Sequence, residues 1–156
     1  MKKLTWENVE LISEELAQKI KESSFQPDYI IGVTTGGLFP LALLAKELKL
    51  NKILTFSAKT SGSDKNKKLH IMYAPNIDLR DKKILLVDEI VETGITLRKI
   101  VEMIKRKYNV SELKTATMGV NKDKCLFYPD YYVFFEQGEW VKFPWEKKEK
   151  FGKYTK

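Results

Sequence analysis

Apolar residues follow two rhythms along this chain. After Thr5, the positions Val9, Ile12, Leu16 and Ile20 recur at spacings of three and four. That predicts an amphipathic helix capped by the Thr5 hydroxyl. The same period in "ITLRKIVEMIKRKY" predicts a second helix, and "LFPLALLAKEL" a third that opens near Pro40. Between them lie short, solid apolar runs bounded by turn residues. "YIIGV" (29–33), "KILTF" (52–56) and "KILLV" (83–87) read as buried strands, as do "LKTATMGV" and "YYVFF" (131–135). "LHIMY" reads as a returning strand. Strands that alternate with helices predict an α/β fold, a central, mainly parallel sheet flanked by helices. Such sheets bind ligands beyond the carboxyl ends of their strands.

Two segments have that form. "IIGVTTGG" and "ILLVDEIVETG" each run from an apolar strand through a polar, glycine-bearing turn into a helix. In the second, a helix starting near Ile95 presents unpaired N–H groups and the positive end of its dipole. Gly94 lets backbone approach a ligand, and Thr93 and Thr96 add hydroxyls, which makes a cradle for a phosphate. Asp88 and Glu89 beside it would repel a phosphate. They suit sugar hydroxyls or a Mg²⁺ ion instead. Phosphate, vicinal hydroxyls and metal together describe a ribose 5-phosphate. The same acids also fit a plain capped helix with exposed carboxylates at its start.

Composition narrows the field. The 156 residues suit one domain with a single core, and 43% hydrophobic with 31% charged residues suits a globular chain. No apolar run approaches the roughly 20 residues needed to span a bilayer. "MKKLTWENVEL" turns acidic too soon for a signal peptide. One cysteine, Cys125, excludes an internal disulfide framework and reads as a packing residue. These features predict a cytoplasmic protein. The lone His70 excludes multi-histidine metal sites and reads as a solvated side chain. The net charge of +7 favours acidic partners. Lys52, Lys59, Lys65, Lys67 and Lys68 gather in and before "SAKTSGSDKNKK". Lys147, Lys148, Lys150, Lys153 and Lys156 crowd a basic tail, 147–156. "SAKTSGSDKNKK" (57–68) has no period and is long for a connection, so it is either a mobile functional loop or an elaborate hairpin tip.

"ILLVDEIVETGITL" resembles the phosphoribosyl-pyrophosphate (PRPP) binding motif of the type I phosphoribosyltransferases: apolar strand, acidic pair, two apolar residues, acid-Thr-Gly-x-Thr. "IGVTTGGLFP" is similar to that family's pyrophosphate loop, and the stretch at about 57–70 lies where the family keeps a flexible hood loop. "GEWVKFPWE" resembles the C-terminal base-binding segment, about 131–148, of the xanthine-guanine and archaeal 6-oxopurine enzymes. The resemblance covers nearly the whole chain, 1–156. It implies a purine-salvage enzyme that joins a 6-oxopurine to PRPP with Mg²⁺, working as a homodimer or homotetramer. It further implies that Glu92, Thr93, Gly94, Ile95 and Thr96 hold the 5-phosphate, and Asp88 and Glu89 the ribose or its metal. Thr35, Gly36 and Gly37 would meet pyrophosphate through main-chain N–H groups. Glu92 would face purine N7 as acid, base or orienting acceptor. Lys122 would donate to O6, with Lys124 as its competitor in "NKDK", while Trp140 stacks on the ring and the Val141 backbone reads its edge.

Three departures from the family pattern stand out. Thr35 replaces the usual cation of the pyrophosphate loop, Glu89 the usual second Asp of the pair, and Glu92 an Asp common in the purine enzymes. A regulator on the same fold, binding PRPP or nucleotides and nucleic acid through the basic surface, is the alternative, and a salvage enzyme for adenine or a pyrimidine is a third option. No helix-turn-helix or other nucleic-acid motif supports the regulator.

Overall fold

Thr5 caps the first helix through a reciprocal pair of bonds. Its hydroxyl accepts the Asn8 N–H at 3.1 Å, and Asn8 Oδ1 accepts the Thr5 N–H at 3.0 Å. In this computed structural model, which describes residues 2–146, the elements run β1 (Lys2–Lys3), α1 (Trp6–Glu22), β2 (Tyr29–Thr34), α2 (Leu38–Glu47) and β3 (Ile53–Ser61). They continue as β4 (Lys68–Tyr73), β5 (Lys83–Val91), α3 (Ile95–Tyr108), β6 (Glu112–Asn121), β7 (Phe134–Glu136) and β8 (Val141–Lys142). Helix α2 opens at Leu38 rather than near Pro40. Pro40 falls in its first turn, where the missing N–H removes no helical bond.

The main sheet has the order β4-β3-β2-β5-β6-β7. All neighbours are parallel except β3 and β4. The chain leaves β2 for β3 on one side and leaves β5 for β6 on the other. Adjacent strands β2 and β5 therefore flank a topological switch point, the place where open α/β sheets form a ligand crevice.

Side-chain alternation along the central strands divides the core in two. Ile31, Ile84 and Leu86 cluster with Phe56 and with Leu97, Ile100 and Ile104 of α3. Ile30, Leu85 and Val87 cluster instead with Leu16 and Ile20 of α1 and Leu41 and Leu44 of α2. A third cluster, Leu4, Val9, Met118, Val141 and Phe143, seats the C-terminal segment. There β1 and β8 pair in parallel, Lys2 opposite Val141.

Two expectations change, and an open alternative is decided. Strand β5 does not stop at Val87 but runs to Val91, so Asp88 and Glu89 are strand residues. Of the two alternatives for 57–68, the hairpin holds: β3 and β4 pair from Ser57–Tyr73 to Ser61–Lys68 around a tip with a 3-10 turn, Asp64–Asn66, and "LHIMY" is the returning strand. "YYVFF" shifts along the chain, with β7 spanning Phe134–Glu136 and Tyr131 making only an isolated bridge to Ala116. The basic tail, 147–156, and the end of the base-binding segment lie outside the described residues. Among the described residues no helix is long and apolar enough to cross a membrane.

Phe56 is fully buried where β3 meets the α3 side of the core. Phe56→Ala should lower stability by about 3–5 kcal/mol, read as a fall in the urea midpoint at an unchanged slope.

Candidate active site

The two turns at the switch point are built differently. After β5, Gly94 takes a left-handed conformation (φ 80°) as the N-cap of α3. Space demands a glycine as well, since a Cβ there would sit 2.3 Å from the Phe127 carbonyl oxygen. The Ile95 N–H reaches the Thr93 hydroxyl at 3.4 Å, and Thr93 O accepts the Leu126 N–H at 2.9 Å. The result is a hollow of about 240 Å³ lined by Asp88, Glu92, Thr93, Gly94 and Thr96, with Lys67 reaching in from the hairpin tip. Thr60 and Thr96 hydroxyls, 3.4 Å apart, tie the hairpin to the start of α3. Ile95 lines instead a neighbouring hollow of about 220 Å³ that Lys65, Lys67, Arg98 and Lys99 surround.

After β2 the turn spends much of its own backbone. Gly37 donates its N–H to Val33 O at 2.9 Å, and Thr35 O accepts the Leu38 N–H at 3.1 Å. The Thr34–Thr35 peptide is cis. An added Cβ on Gly37 would meet the Val33 and Val87 carbonyls at 2.5 and 2.7 Å. Its glycine is thus required by packing between β2 and β5, and its N–H is already used. That corrects the expectation that all three residues of the loop offer N–H groups to a ligand.

Asp88 and Glu89 were expected to act as a pair. Strand alternation separates them. Asp88 lines the cradle, while Glu89 turns to the other face, where Trp145 Nε1 donates to its Oε2 at 3.0 Å. Trp145 is itself clamped between Phe39 (4.4 Å, stacked) and Phe143 (4.7 Å, stacked). The Glu89 carboxylate lies against Gly36, where an added Cβ would fall 2.2–2.5 Å from it. One glutamate therefore connects the turn after β2 to the C-terminal segment.

Beyond Glu89 opens a cleft of about 380 Å³. Glu92, Lys124, Asn121, Glu136, Trp140 and Val141 line it. Trp140 is 64% exposed, a large aromatic face left open to the cleft. The Trp140 and Lys142 carbonyls accept from Lys2 and Leu4 at 3.0 and 2.9 Å, which turns Val141's own backbone groups away from β1. Lys124 Nζ meets Glu92 Oε1 at 2.8 Å. Lys122 does not line the cleft. Its ammonium lies 5.7 Å from the Phe135 ring centre, and its N–H is bonded to Glu136 O. The turn after β6 brings the second lysine of "NKDK" to the site, not the first. Asn121 and Glu136 were missed by the sequence reading. Both end strands of the parallel sheet, a position that by itself marks candidate ligand contacts.

Of the remaining expectations, Cys125 is buried and its thiol donates to Phe127 O at 3.2 Å, a packing role. His70 is exposed and pairs with the Ser61 hydroxyl across the hairpin at 2.7 Å.

Residues 4–151 match the phosphoribosyl transferase domain family. The chain belongs to that family. Phosphoribosyl transferases move a pentosyl group and are glycosyltransferases. A purine phosphoribosyltransferase from Pyrococcus horikoshii is 34% identical, with a TM-score of 0.82 over 95% of this chain and 96% of its own. The Helicobacter pylori xanthine-guanine-hypoxanthine phosphoribosyltransferase shares the fold at 23% identity, TM-score 0.79, over 93% and 92%. A hypothetical protein from Neisseria gonorrhoeae with bound ppGpp shares it at 19%, TM-score 0.81, over 95% and 91%.

The electrostatics of this phosphoribosyl transferase site centre on its buried acids. Burial pushes Asp88 up to about 7; the Glu89 N–H, bonded to its Oδ1 at 2.8 Å, opposes this, and the Glu89 charge adds to it. Burial also raises Glu89, against the Trp145 N–H and with help from Glu146. The folded chain thus holds a proton on Asp88 that the unfolded chain has already released between pH 4 and 7. The associated stability is present below pH 4 and lost as pH rises through about 7. Asp88→Asn should therefore be more stable than the parent at pH 8, with an advantage about 2–4 kcal/mol larger than at pH 4. Urea titrations of both proteins at the two pH values measure it; an advantage independent of pH would contradict it.

Proposed function

We propose that this phosphoribosyl transferase moves the 5-phosphoribosyl group of PRPP to N9 of a 6-oxopurine, hypoxanthine, guanine or xanthine. Pyrophosphate and a nucleoside monophosphate leave. The observation that carries this reading is the position of Glu92, which lines both the phosphate cradle and the cleft beside Trp140. A ligand reaching from one to the other would have a phosphate at one end, an aromatic base at the other and a sugar between them.

In this reading, the backbone N–H groups of Thr93, Gly94 and Thr96 with the two threonine hydroxyls hold the 5-phosphate, while the Ile95 N–H is bonded to the Thr93 hydroxyl. Lys67 adds positive charge at the cradle, in a chain whose pyrophosphate turn has Thr35 in the place of a cation. Asp88 accepts from a ribose hydroxyl. The base lies on Trp140, Lys124 donates to O6 in the role expected of Lys122, and Glu92 faces N7. The family generally uses Mg²⁺ with PRPP. Among the described residues no three His, Cys, Asp or Glu side chains converge to hold a metal. Asp88, with Glu89 tied to Trp145, fits an ion that arrives with the substrate. Such an ion would offset charge on the leaving pyrophosphate. The chain's own residues fix the sugar between cradle and cleft, so that its anomeric carbon faces N9 as cationic character develops there. The hairpin tip limits access of water, which would otherwise hydrolyse the activated sugar.

A second reading, a nucleotide-binding regulator of the same fold, draws support from the lysine- and arginine-ringed hollow beside the cradle. The Trp140 cleft favours the enzyme. Incubation with PRPP, Mg²⁺ and each of hypoxanthine, guanine, xanthine, adenine and uracil separates the two, since PRPP binding without transfer to any base would favour the regulator. Lys124→Met should cut kcat/KM for a 6-oxopurine about 10–100-fold, the loss of one charge-assisted hydrogen bond. Lys122→Met should change it less than threefold. The reverse order would return the O6 contact to Lys122.

A further inference from the structure

Glu136 is a cleft acid that neither the cradle nor the transfer chemistry uses. It ends β7 with only 7% of its surface exposed, yet it lines the Trp140 cleft. Lys2 Nζ stands 2.9 Å from its Oε1, an oxygen enclosed by protein that makes no hydrogen bond beyond this ion pair. A ligand in the cleft would therefore add its donors to the other oxygen, Oε2, of a carboxylate otherwise short of them. Lys2 also locates it relative to the base platform. The Lys2 N–H is bonded to Trp140 O at 3.0 Å while its ammonium touches Glu136, so a single residue spans the distance between platform and carboxylate.

The surrounding charge has the same sense. Five glutamates, Glu89, Glu92, Glu136, Glu139 and Glu146, line the cleft; Lys124 pairs with Glu92 and Lys2 with Glu136, so acceptors outnumber cations along its wall. Such a wall rewards a base edge that donates hydrogen bonds and penalises one that presents a lone pair. The three 6-oxopurines differ in that respect at position 2. Guanine presents N1–H and the 2-amino group side by side, two donors directed toward the cleft-facing oxygen of the carboxylate. Hypoxanthine presents N1–H beside a bare C2–H. Xanthine presents N1–H beside the O2 acceptor, which would face the carboxylate oxygen.

We infer that Glu136 reads position 2 of the base and makes guanine the preferred acceptor, followed by hypoxanthine, with xanthine last. This rests on the phosphoribosyl-transfer reading above and assigns the choice of base to a side chain at the end of β7.

The test compares kcat/KM for guanine, hypoxanthine and xanthine, with PRPP and Mg²⁺, in the parent protein, Glu136→Gln and Lys2→Met. The parent should rank the bases in the order given. Glu136→Gln exchanges one acceptor oxygen for an amide donor. It should lower the guanine-to-xanthine ratio at least tenfold, because the amide now meets O2 favourably. Lys2→Met removes the ion pair but keeps the carboxylate, and should leave that ratio within about threefold, which separates base reading from loss of the Lys2 contact. Thermal melts of both variants give the folded fraction, and a ratio of bases is insensitive to it. A parent that uses xanthine as well as guanine, or a Glu136→Gln protein with the parent's ratios, would overturn this inference and leave the transfer reading intact. A parent that transfers to no base would overturn both.

Discussion

Everything at this site depends on strand β5 continuing four residues beyond its apolar run. Had the strand ended at Val87, Asp88 and Glu89 would share a loop and could converge on one ligand group. Because it runs on, each step of one residue turns the side chain to the opposite face of the sheet. Asp88 enters the cradle, Glu89 goes to Trp145, and Glu92, just past the strand end, stands on the ridge between the two cavities. Three carboxylates that are near neighbours in sequence thereby serve three different surroundings.

That division accounts for the two places where the motif carries Glu in place of the family's Asp. Glu89 must reach from β5 to an indole held in a stack of aromatic rings, and the extra methylene supplies the length. Glu92 extends far enough to pair with Lys124 on the turn after β6. Both glutamates have partners supplied by the C-terminal half of the chain.

The fold was largely legible because its strands are solid apolar runs and its helices keep a clean period. The hollow at the start of α3 was legible for a related reason: a strand end, a glycine and a helix start are consecutive in sequence. What stayed hidden was set by contacts between distant segments. Nothing local distinguishes Lys124 from Lys122; the turn after β6 and its bond to Glu136 O decide which lysine meets the cleft. At 57–68 composition alone could not choose between loop and hairpin, because an edge strand with little burial has a weak apolar signal. Gly37 looked like a ligand-binding glycine and proved to be required by the carbonyls of β2 and β5.

The pairing of β1 with β8 bears on the order in which the molecule assembles. Lys2 and Val141 lie nearly the whole chain apart, and the ladder that joins them is two residues long on each side. Its closure forfeits the entropy of a very large loop for few bonds, so it belongs among the last contacts to form and the first to open. A chain emerging from synthesis can complete its main sheet while its opening residues still wait for the closing segment. In the proposed reading, a ligand resting on Trp140 would itself help hold β1 and β8 together.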